Sequence, residues 1–238
     1  PTAVTNWSTA CAPKAWRLGF NNEVDIPLPD ALLKGELIVP LSAEAIIIFS
    51  HGSGSSRNSP RNRMVASYLH QHNIGTLLFD LLTPEEELQY QTRFDIGLLT
   101  QRLYNATRWL QKQPTAQGCS YGFFGASTGA ASALKASIRL PEIEAVVCRG
   151  GRPDLVLQDL PQVKAPVLFI VGSYDTDVLA LNRTAYNKLT CRRRLDVVEN
   201  ASHLFEENGK MEIVEKLAAK WFEQHLLMAD HHVHKATL

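Results

Sequence analysis

Short runs of apolar residues alternate along the chain with longer segments in which apolar residues recur every three or four positions. The runs "AIIIF" and "VLFIV" have the continuous β-branched and aromatic character of strands that are buried on both faces of a sheet. Strands are predicted at 23–28, 32–39, 44–50, 74–80, 120–125, 144–150, 165–172 and 193–199.

The helical pattern is clearest over residues 93–113, where Leu103, Ala106 and Leu110 share one face. Asp95 is expected to cap the start of this helix. Strands that alternate with helices predict an α/β fold, with a mostly parallel sheet covered by helices on both faces. Further helices are predicted at 60–71, 127–139, 178–189 and around 213–221.

The chain has 238 residues, of which 45% are apolar, and this is enough for a sizeable core. No repeat or compositional break divides it, so we expect one domain over 1–238, with a core at about 23–226 and a tail at 227–238. The 24 basic residues equal the 24 acidic ones, which argues against nucleic acid as a partner. The apolar runs are too short to span a bilayer, and the first residues lack the apolar segment of a secretory signal. We therefore expect a cytoplasmic protein without a membrane partner.

The cysteines show no zinc-site spacing, and we interpret them as small buried side chains in a reducing compartment. Three histidines near the C-terminus, at 231, 232 and 234, are expected in a solvated tail. We predict neither a metal nor an organic cofactor. The four cysteines are Cys11, Cys119, Cys148 and Cys191.

A serine lies at a sharp predicted corner in "YGFFGASTGAASAL". The segment from Gly125 to Gly129 has the form G-x-S-x-G and lies between a predicted strand and a predicted helix, the context in which this pattern marks a nucleophilic Ser127. Such a turn strains the serine backbone and leaves no room for side chains two positions away. A nucleotide-binding turn is the alternative, but it would need a G-x-G-x-x-G beside the first parallel strand, and the sequence has none.

A nucleophilic serine needs a base, and the base needs an orienting acid, in the chain order serine, acid, histidine. Asp175 follows the strand predicted at 165–172, and His203 follows the last predicted strand. Asp177 is the alternative acid, although its place just before a predicted helix suits an N-cap. Ser127, Asp175 and His203 are therefore the predicted catalytic residues.

Acyl transfer also needs hydrogen-bond donors for the developing oxyanion. We predict the backbone N–H of Thr128, directly after the serine, and the backbone N–H of Ser53 in the loop "SHGSGSSRNSPRN". His51 is expected to shape this loop rather than to act as the base. A loop that cradles a phosphate is the alternative, and it would look much the same in sequence.

Five segments together resemble the α/β-hydrolase superfamily, and within it the dienelactone-hydrolase-like proteins: "HGSGSSRNSPRN", "GASTGAASAL", "RGGRPDL", "GSYDTDV" and "SHLFEE". The resemblance extends from about residue 23 to 226. It implies an eight-stranded sheet whose first two strands include an antiparallel partner, and the triad Ser127–Asp175–His203. The chain departs from dienelactone hydrolases proper, which use a cysteine nucleophile, whereas members with serine are esterase-like.

The segment between the sixth and seventh predicted strands is too short for a large lid, so we expect an open site and a small, soluble substrate. Arginines cluster where this site is expected, and we predict that Arg57 and Arg152, before the others, hold an anionic substrate group by forked hydrogen bonds. The alternative is that they pair with acids such as Asp154 or those at 85–87. The cluster comprises Arg57, Arg61, Arg63, Arg149 and Arg152.

The sequence thus predicts a serine hydrolase that cleaves a small, anion-bearing ester or lactone through an acyl-enzyme. A thioesterase or a small amidase would use the same residues. A ligand-binding protein that keeps this fold without catalysis is a third interpretation, because function lies in the site and not in the fold.

Overall fold

An eight-stranded sheet is the framework of the molecule. The computed structural model describes residues 18–227, and all eight predicted strands are found there. The strands are β1 (Leu18–Pro27), β2 (Leu32–Pro40), β3 (Ala45–Ser50), β4 (Ile74–Phe79), β5 (Ser120–Ala126), β6 (Ile143–Arg149), β7 (Val167–Gly172) and β8 (Arg193–Val198).

The strand order is β1-β2-β4-β3-β5-β6-β7-β8. Strand β2 runs antiparallel to β1 and β4, and every other neighbouring pair is parallel. This confirms the predicted mostly parallel sheet and the antiparallel partner near its start. Strand β1 begins at Leu18, earlier than predicted, and its backbone pairs with β2 from there. The sequence pattern did not show this start because Asn21 and Asn22 interrupt the run of apolar residues.

Six α-helices lie between or after the strands within the described part of the chain. Helix α2 was not predicted, because four residues are too few to show a helical period. Helix α3 begins after Asp95, whose side chain accepts a 2.9 Å hydrogen bond from the Leu98 N–H, so the predicted N-cap is confirmed. The helices are α1 (Pro60–Gln71), α2 (Pro84–Glu87), α3 (Ile96–Leu110), α4 (Thr128–Arg139), α5 (Thr176–Lys188) and α6 (Lys210–Phe222).

Helices cover both faces of the sheet, as predicted. Ile46 and Ile48 of β3 belong to the core beneath α3, α4 and α5, whereas Ile47 belongs to the core beneath α1 and α6. This alternation follows from the two-residue period of a strand. Burial of each such side chain contributes about 1.5–3 kcal/mol, which fixes the helices against the sheet.

A crevice opens where the chain order of the strands reverses. Strand β3 lies between β4 and β5, and α1 follows β3 on one face while α4 follows β5 on the other. The loops that leave these two strands therefore diverge at their carboxyl ends. Ligand sites of open α/β sheets form at this position.

The cysteines at 119, 148 and 191 are free thiols. Cys148 is buried in β6, and this burial raises the pKa of its thiol. Cys11, the tail histidines and residues 228–238 lie outside the described residues. Between residues 18 and 227, no cluster of metal-ligating side chains is found. A bilayer-spanning helix, sufficiently long and apolar, is also not found over that range.

Candidate active site

Ser127 joins β5 to α4 in a strained backbone conformation. Its φ is 51° and its ψ is −123°, and a side-chain-bearing residue held in such a region costs about 1–3 kcal/mol. A β-carbon on Gly125 would lie 2.6 Å from the Cα of Ala130, and one on Gly129 would lie 2.1 Å from the main-chain oxygen of Ser50. These approaches exclude any side chain, and they explain both glycines of the motif.

Asp175 and His203 meet at the carboxyl edge of the sheet. The Nδ1 atom of His203 lies 2.6 Å from Oδ2 of Asp175. The side chain of Asp175 is 14% exposed and that of His203 is 39% exposed, so the acid is screened while the imidazole reaches solvent. A carboxylate on Nδ1 favours the tautomer that carries its proton there, and it leaves Nε2 free to accept one.

Asp177 was expected to cap the start of the helix after β7, but it lies inside the first turn of α5. Asp175 occupies the N-cap position instead, although its side chain bonds His203 and not a helix N–H. The N-cap prediction for Asp177 is therefore wrong. An acidic residue in the first turn still favours the helix, because it faces the positive end of the helix dipole.

Two residues that the sequence analysis missed shape the loop of His203. Phe205 is only 1% exposed and has a φ of 56°, which is unusual for an aromatic residue. The two carboxylate oxygens of Glu207 accept hydrogen bonds from the Ser202 N–H at 3.0 and 3.1 Å. That backbone donor lowers the pKa of Glu207. No residue-type pattern signals the conformation of Phe205, whereas an acid close behind the histidine could have been noticed.

Ser127 and His203 line one cavity of about 140 Å³. The structure therefore brings the predicted nucleophile and the predicted base to a shared space, with the predicted acid bonded to the base. The remaining walls are largely polar and come from the loop after β3, the start of α1 and the end of β6. Residues from these segments include Ser53, Ser59, Arg61, Asn62 and Arg149.

The Ser53 N–H, predicted as an oxyanion donor, already has an acceptor. It donates a 2.9 Å hydrogen bond to Oγ1 of Thr128. The side chain of Thr128 is almost fully buried, so this bond ties the loop after β3 to the residue that follows Ser127. The Ser53 N–H is therefore directed at the Thr128 hydroxyl in this structure.

His51 has both ring nitrogens engaged. Nδ1 lies 2.9 Å from the Gly52 carbonyl oxygen, and Nε2 accepts a 3.0 Å hydrogen bond from the Leu81 N–H. Burial lowers the pKa of His51, which favours the neutral ring that these two contacts require. His51 therefore links the loop after β3 to the end of β4, as expected of a residue that shapes the loop.

Arg57 and Arg152, the preferred anion-binding arginines, pair with carboxylates. Arg57 forms an ion pair with Asp80 at the end of β4. Arg152 makes a forked pair with Asp154, with Nε–Oδ1 and Nη2–Oδ2 distances of 2.8 Å. Neither lines the cavity that Ser127 and His203 share. The structure thus shows the alternative arrangement, in which each of these two arginines pairs with a neighbouring acid outside the cavity.

Arg61 and Arg149, which belong to the same predicted cluster, do line that cavity. Arg149 ends β6 directly beside the serine corner, since its carbonyl oxygen accepts the Ser127 N–H at 3.2 Å. Only 7% of Arg149 is exposed. The arginines that line the cavity are therefore Arg61 and Arg149, and not Arg57 and Arg152, which the sequence favoured.

Comparison with known proteins agrees with this geometry. Residues 71–231 match the dienelactone hydrolase family. Two Mycobacterium tuberculosis proteins, from strains CDC 1551 and H37Rv, are 48% identical over 207 residues and carry the provisional name phosphoribosyl transferase. The match covers 87% of this chain but 47% of theirs, so the chain spans about half the length of these curated relatives.

Solved structures share the architecture. The crystal structure of a dienelactone hydrolase from Anabaena variabilis is 50% identical, with a TM-score of 0.85, and the match covers 87% of this chain and 98% of that one. Est1E from Butyrivibrio proteoclasticus is 13% identical with a TM-score of 0.73, and the match covers 85% of this chain and 98% of its own. The second likeness is one of fold alone.

Proposed function

Because this chain belongs to the dienelactone hydrolase family, we propose that it is a serine-dependent carboxylic-ester hydrolase that cleaves a small ester or lactone through an acyl-enzyme. The family and the α/β-hydrolase fold that the sequence resembled are confirmed by the match over 71–231 and by the Anabaena structure. The triad is our proposal. The observation that carries it is the 2.6 Å contact between His203 and Asp175 at the cavity of Ser127.

In the proposed first half-reaction, the Ser127 hydroxyl attacks the carbonyl carbon while Nε2 of His203 accepts the hydroxyl proton. Asp175 keeps the imidazole oriented and stabilises the imidazolium that forms. The proton then passes to the leaving alcohol, or to the ring-opened oxygen of a lactone, as the C–O bond breaks. In the second half-reaction, His203 takes a proton from water as the water oxygen attacks the acyl carbon. The bond between that carbon and Ser127 Oγ then breaks, and His203 returns the proton to Oγ, which frees the carboxylic acid and restores the enzyme.

In this proposal the oxyanion accepts hydrogen bonds from the Thr128 N–H and from the Thr128 hydroxyl, whose oxygen in turn accepts the Ser53 N–H. The Thr128 N–H begins α4 directly after Ser127, where the helix dipole also favours negative charge. The Ser53 N–H approaches from the loop after β3 and bonds the Thr128 hydroxyl. A single donor of this kind changes kcat by about a hundredfold or more in serine hydrolases.

A thioester or a small amide would be attacked by the same groups. Because this chain has serine where dienelactone hydrolases proper have cysteine, the preference among esters, thioesters and amides has to be measured. The name phosphoribosyl transferase is not carried over to this chain, because it belongs to proteins of about twice this length. A panel of lactones, aryl esters, thioesters and anilides would rank the substrate classes by kcat/KM.

The proposal is tested by labelling with a fluorophosphonate probe, followed by mass spectrometry of the adduct. We expect labelling at Ser127 in the wild-type protein and its loss in His203→Ala. The matched control is His72→Ala, because the imidazole of His72 pairs with Glu223 on another face and does not line the cavity. A folded wild-type protein that stays unlabelled would favour a non-catalytic binding protein.

A further inference from the structure

Arg149 is a buried cation without a counter-ion. Its Nε atom has no hydrogen-bond partner, and between residues 18 and 227 no carboxylate pairs with its guanidinium. Other arginines of the chain do have acids, as Arg57 has Asp80 and Arg152 has Asp154. Leaving a charge buried and unpaired is costly, so a group that compensates for it is expected to bind.

Arg149 keeps its charge at neutral pH. Burial, and then the positive charge of Arg61, lower the pKa of the Arg149 guanidinium to about 10. The group is therefore protonated throughout the range in which a histidine base works. Within residues 18–227, no acceptor takes a hydrogen bond from its Nε, and Arg149 lines the cavity that Ser127 and His203 share.

Arg61 adds a second cation to the same cavity. It lies in the first turn of α1, and its Nε is also buried without a partner. Its one carboxylate contact is to Glu206, at 3.3 Å, and the side chain of Glu206 is 65% exposed, so solvent weakens this pair. The two guanidinium groups thus repel each other at a cavity whose lining residues, among those described, include no acid.

The start of α1 points its positive end to the same place. Ser59 caps this twelve-residue helix, and Ser59, Arg61 and Asn62 all line the cavity. Pro60 has no N–H and the Asn62 N–H donates to the Ser59 hydroxyl oxygen, so this turn offers an anion the Arg61 N–H and the positive partial charge of the helix end. The helix end alone would not define a site, but the buried Arg149, whose Nε has no partner, lines the same cavity.

We propose that Arg149, Arg61 and the first turn of α1 form a phosphate-binding subsite, and that the ester cleaved at Ser127 carries a phosphate group. This inference rests on the proposed function for its ester bond. A carboxylate has two oxygens and one charge, which one guanidinium satisfies. A phosphate monoester has three terminal oxygens and a charge of about −1.5 to −2 at neutral pH, which matches two guanidinium groups and a helix end.

Calorimetric titration of Ser127→Ala with inorganic phosphate at pH 8, and with phenyl phosphate against benzoate, tests the subsite without turnover. We expect phosphate and phenyl phosphate to bind, and benzoate to bind at least tenfold more weakly. Adding Arg61→Gln or Arg149→Met should weaken phosphate binding roughly ten- to a hundredfold. Arg152→Gln, whose guanidinium pairs with Asp154 outside the cavity, is the control and should bind as Ser127→Ala does.

Two results would overturn the subsite: equal affinity for benzoate and phenyl phosphate, or phosphate binding that survives Arg61→Gln. If Arg149→Met does not fold, Arg61→Gln alone decides. Failure of the subsite can be distinguished from failure of the proposed hydrolase function. Phosphate binding without fluorophosphonate labelling would reject the hydrolase and keep the subsite, whereas labelling without phosphate binding would reject only the subsite.

Discussion

Thr128 contributes two polar groups beside Ser127, its own N–H and the hydroxyl that accepts the Ser53 N–H. Thr128→Val keeps the branched shape but removes the oxygen, so the Ser53 N–H loses its acceptor and the loop loses a tie to α4. We expect kcat on a neutral aryl ester to fall about tenfold, since the donor geometry for the oxyanion loosens. Steady-state kinetics would measure this change.

Thr128→Ser is the matched variant, because it retains the hydroxyl and should keep kcat within about twofold of the wild-type value. Thermal unfolding of both variants checks that a loss of kcat does not reflect a loss of fold. Should Thr128→Val keep full activity, the Ser53 N–H would serve the substrate directly, and the pair would have no role.

Among single residues, the sequence predicted the placement of those whose position follows from motif and strand end. Ser127, Asp175 and His203 each follow a strand, and parallel strands end at one edge, so their convergence could be predicted. The arginines could not be ranked this way. Nothing local distinguishes Arg152, which pairs with Asp154, from Arg149, which lines a cavity built by distant segments.

The strand–turn–helix element of β5, Ser127 and α4 stores strain that a substitution should reveal. Because Ser127 has a φ of 51°, an alanine there keeps the unfavourable contact of its β-carbon, whereas a glycine relieves it. We expect the free energy of unfolding of Ser127→Gly to be about 1 kcal/mol larger than that of Ser127→Ala. Urea denaturation of the two inactive variants gives the comparison.

The glycines that flank this corner provide the control. Gly129→Ala would place a β-carbon 2.1 Å from the Ser50 oxygen, so it should destabilise the protein strongly, in contrast to Ser127→Gly. If Ser127→Gly were no more stable than Ser127→Ala, the corner would carry no strain of this kind.

Whole elements were predictable where burial imposes a period. Strands β3 and β7 are buried along their entire length and were found close to the expected bounds. Helix α2 was missed because none of its residues is buried, so no apolar face marks it, although Thr83 forms a full capping box with Glu86. The start of α5 was misplaced because an acid inside the first turn resembles an N-cap.

At the scale of the molecule, the site depends on two helices that cover opposite faces, since α1 brings Arg61 and α4 follows Ser127. The sequence predicted the alternation of strands and helices and the loops that carry the triad, but not which arginines those loops and the start of α1 would bring to the cavity. That outcome follows from the strand order, in which β3 lies between β4 and β5. Non-local pairing of this kind leaves no trace in local periodicity.

The stability of the whole molecule should depend on pH through His70, at the end of α1. Burial lowers its pKa to about 4, and Nε2 lies 2.8 Å from the Thr76 hydroxyl. The unfolded chain takes up this proton near pH 6.5, while the folded protein does not until about pH 4. Between these values the unfolded state binds more protons, so this contribution is complete above pH 6.5 and is lost as the pH falls toward 4.

His70→Gln isolates this contribution from that of the carboxylates, because glutamine can still reach Thr76 but does not titrate. We expect the free energy of unfolding of the wild-type protein, relative to His70→Gln, to fall by roughly 3 kcal/mol between pH 7 and pH 4. Urea unfolding at half-unit pH steps measures the difference. Parallel curves for the two proteins across this range would show that His70 gains its proton equally well in the folded state, and that burial of this side chain at the end of α1 does not govern the acid stability of the fold.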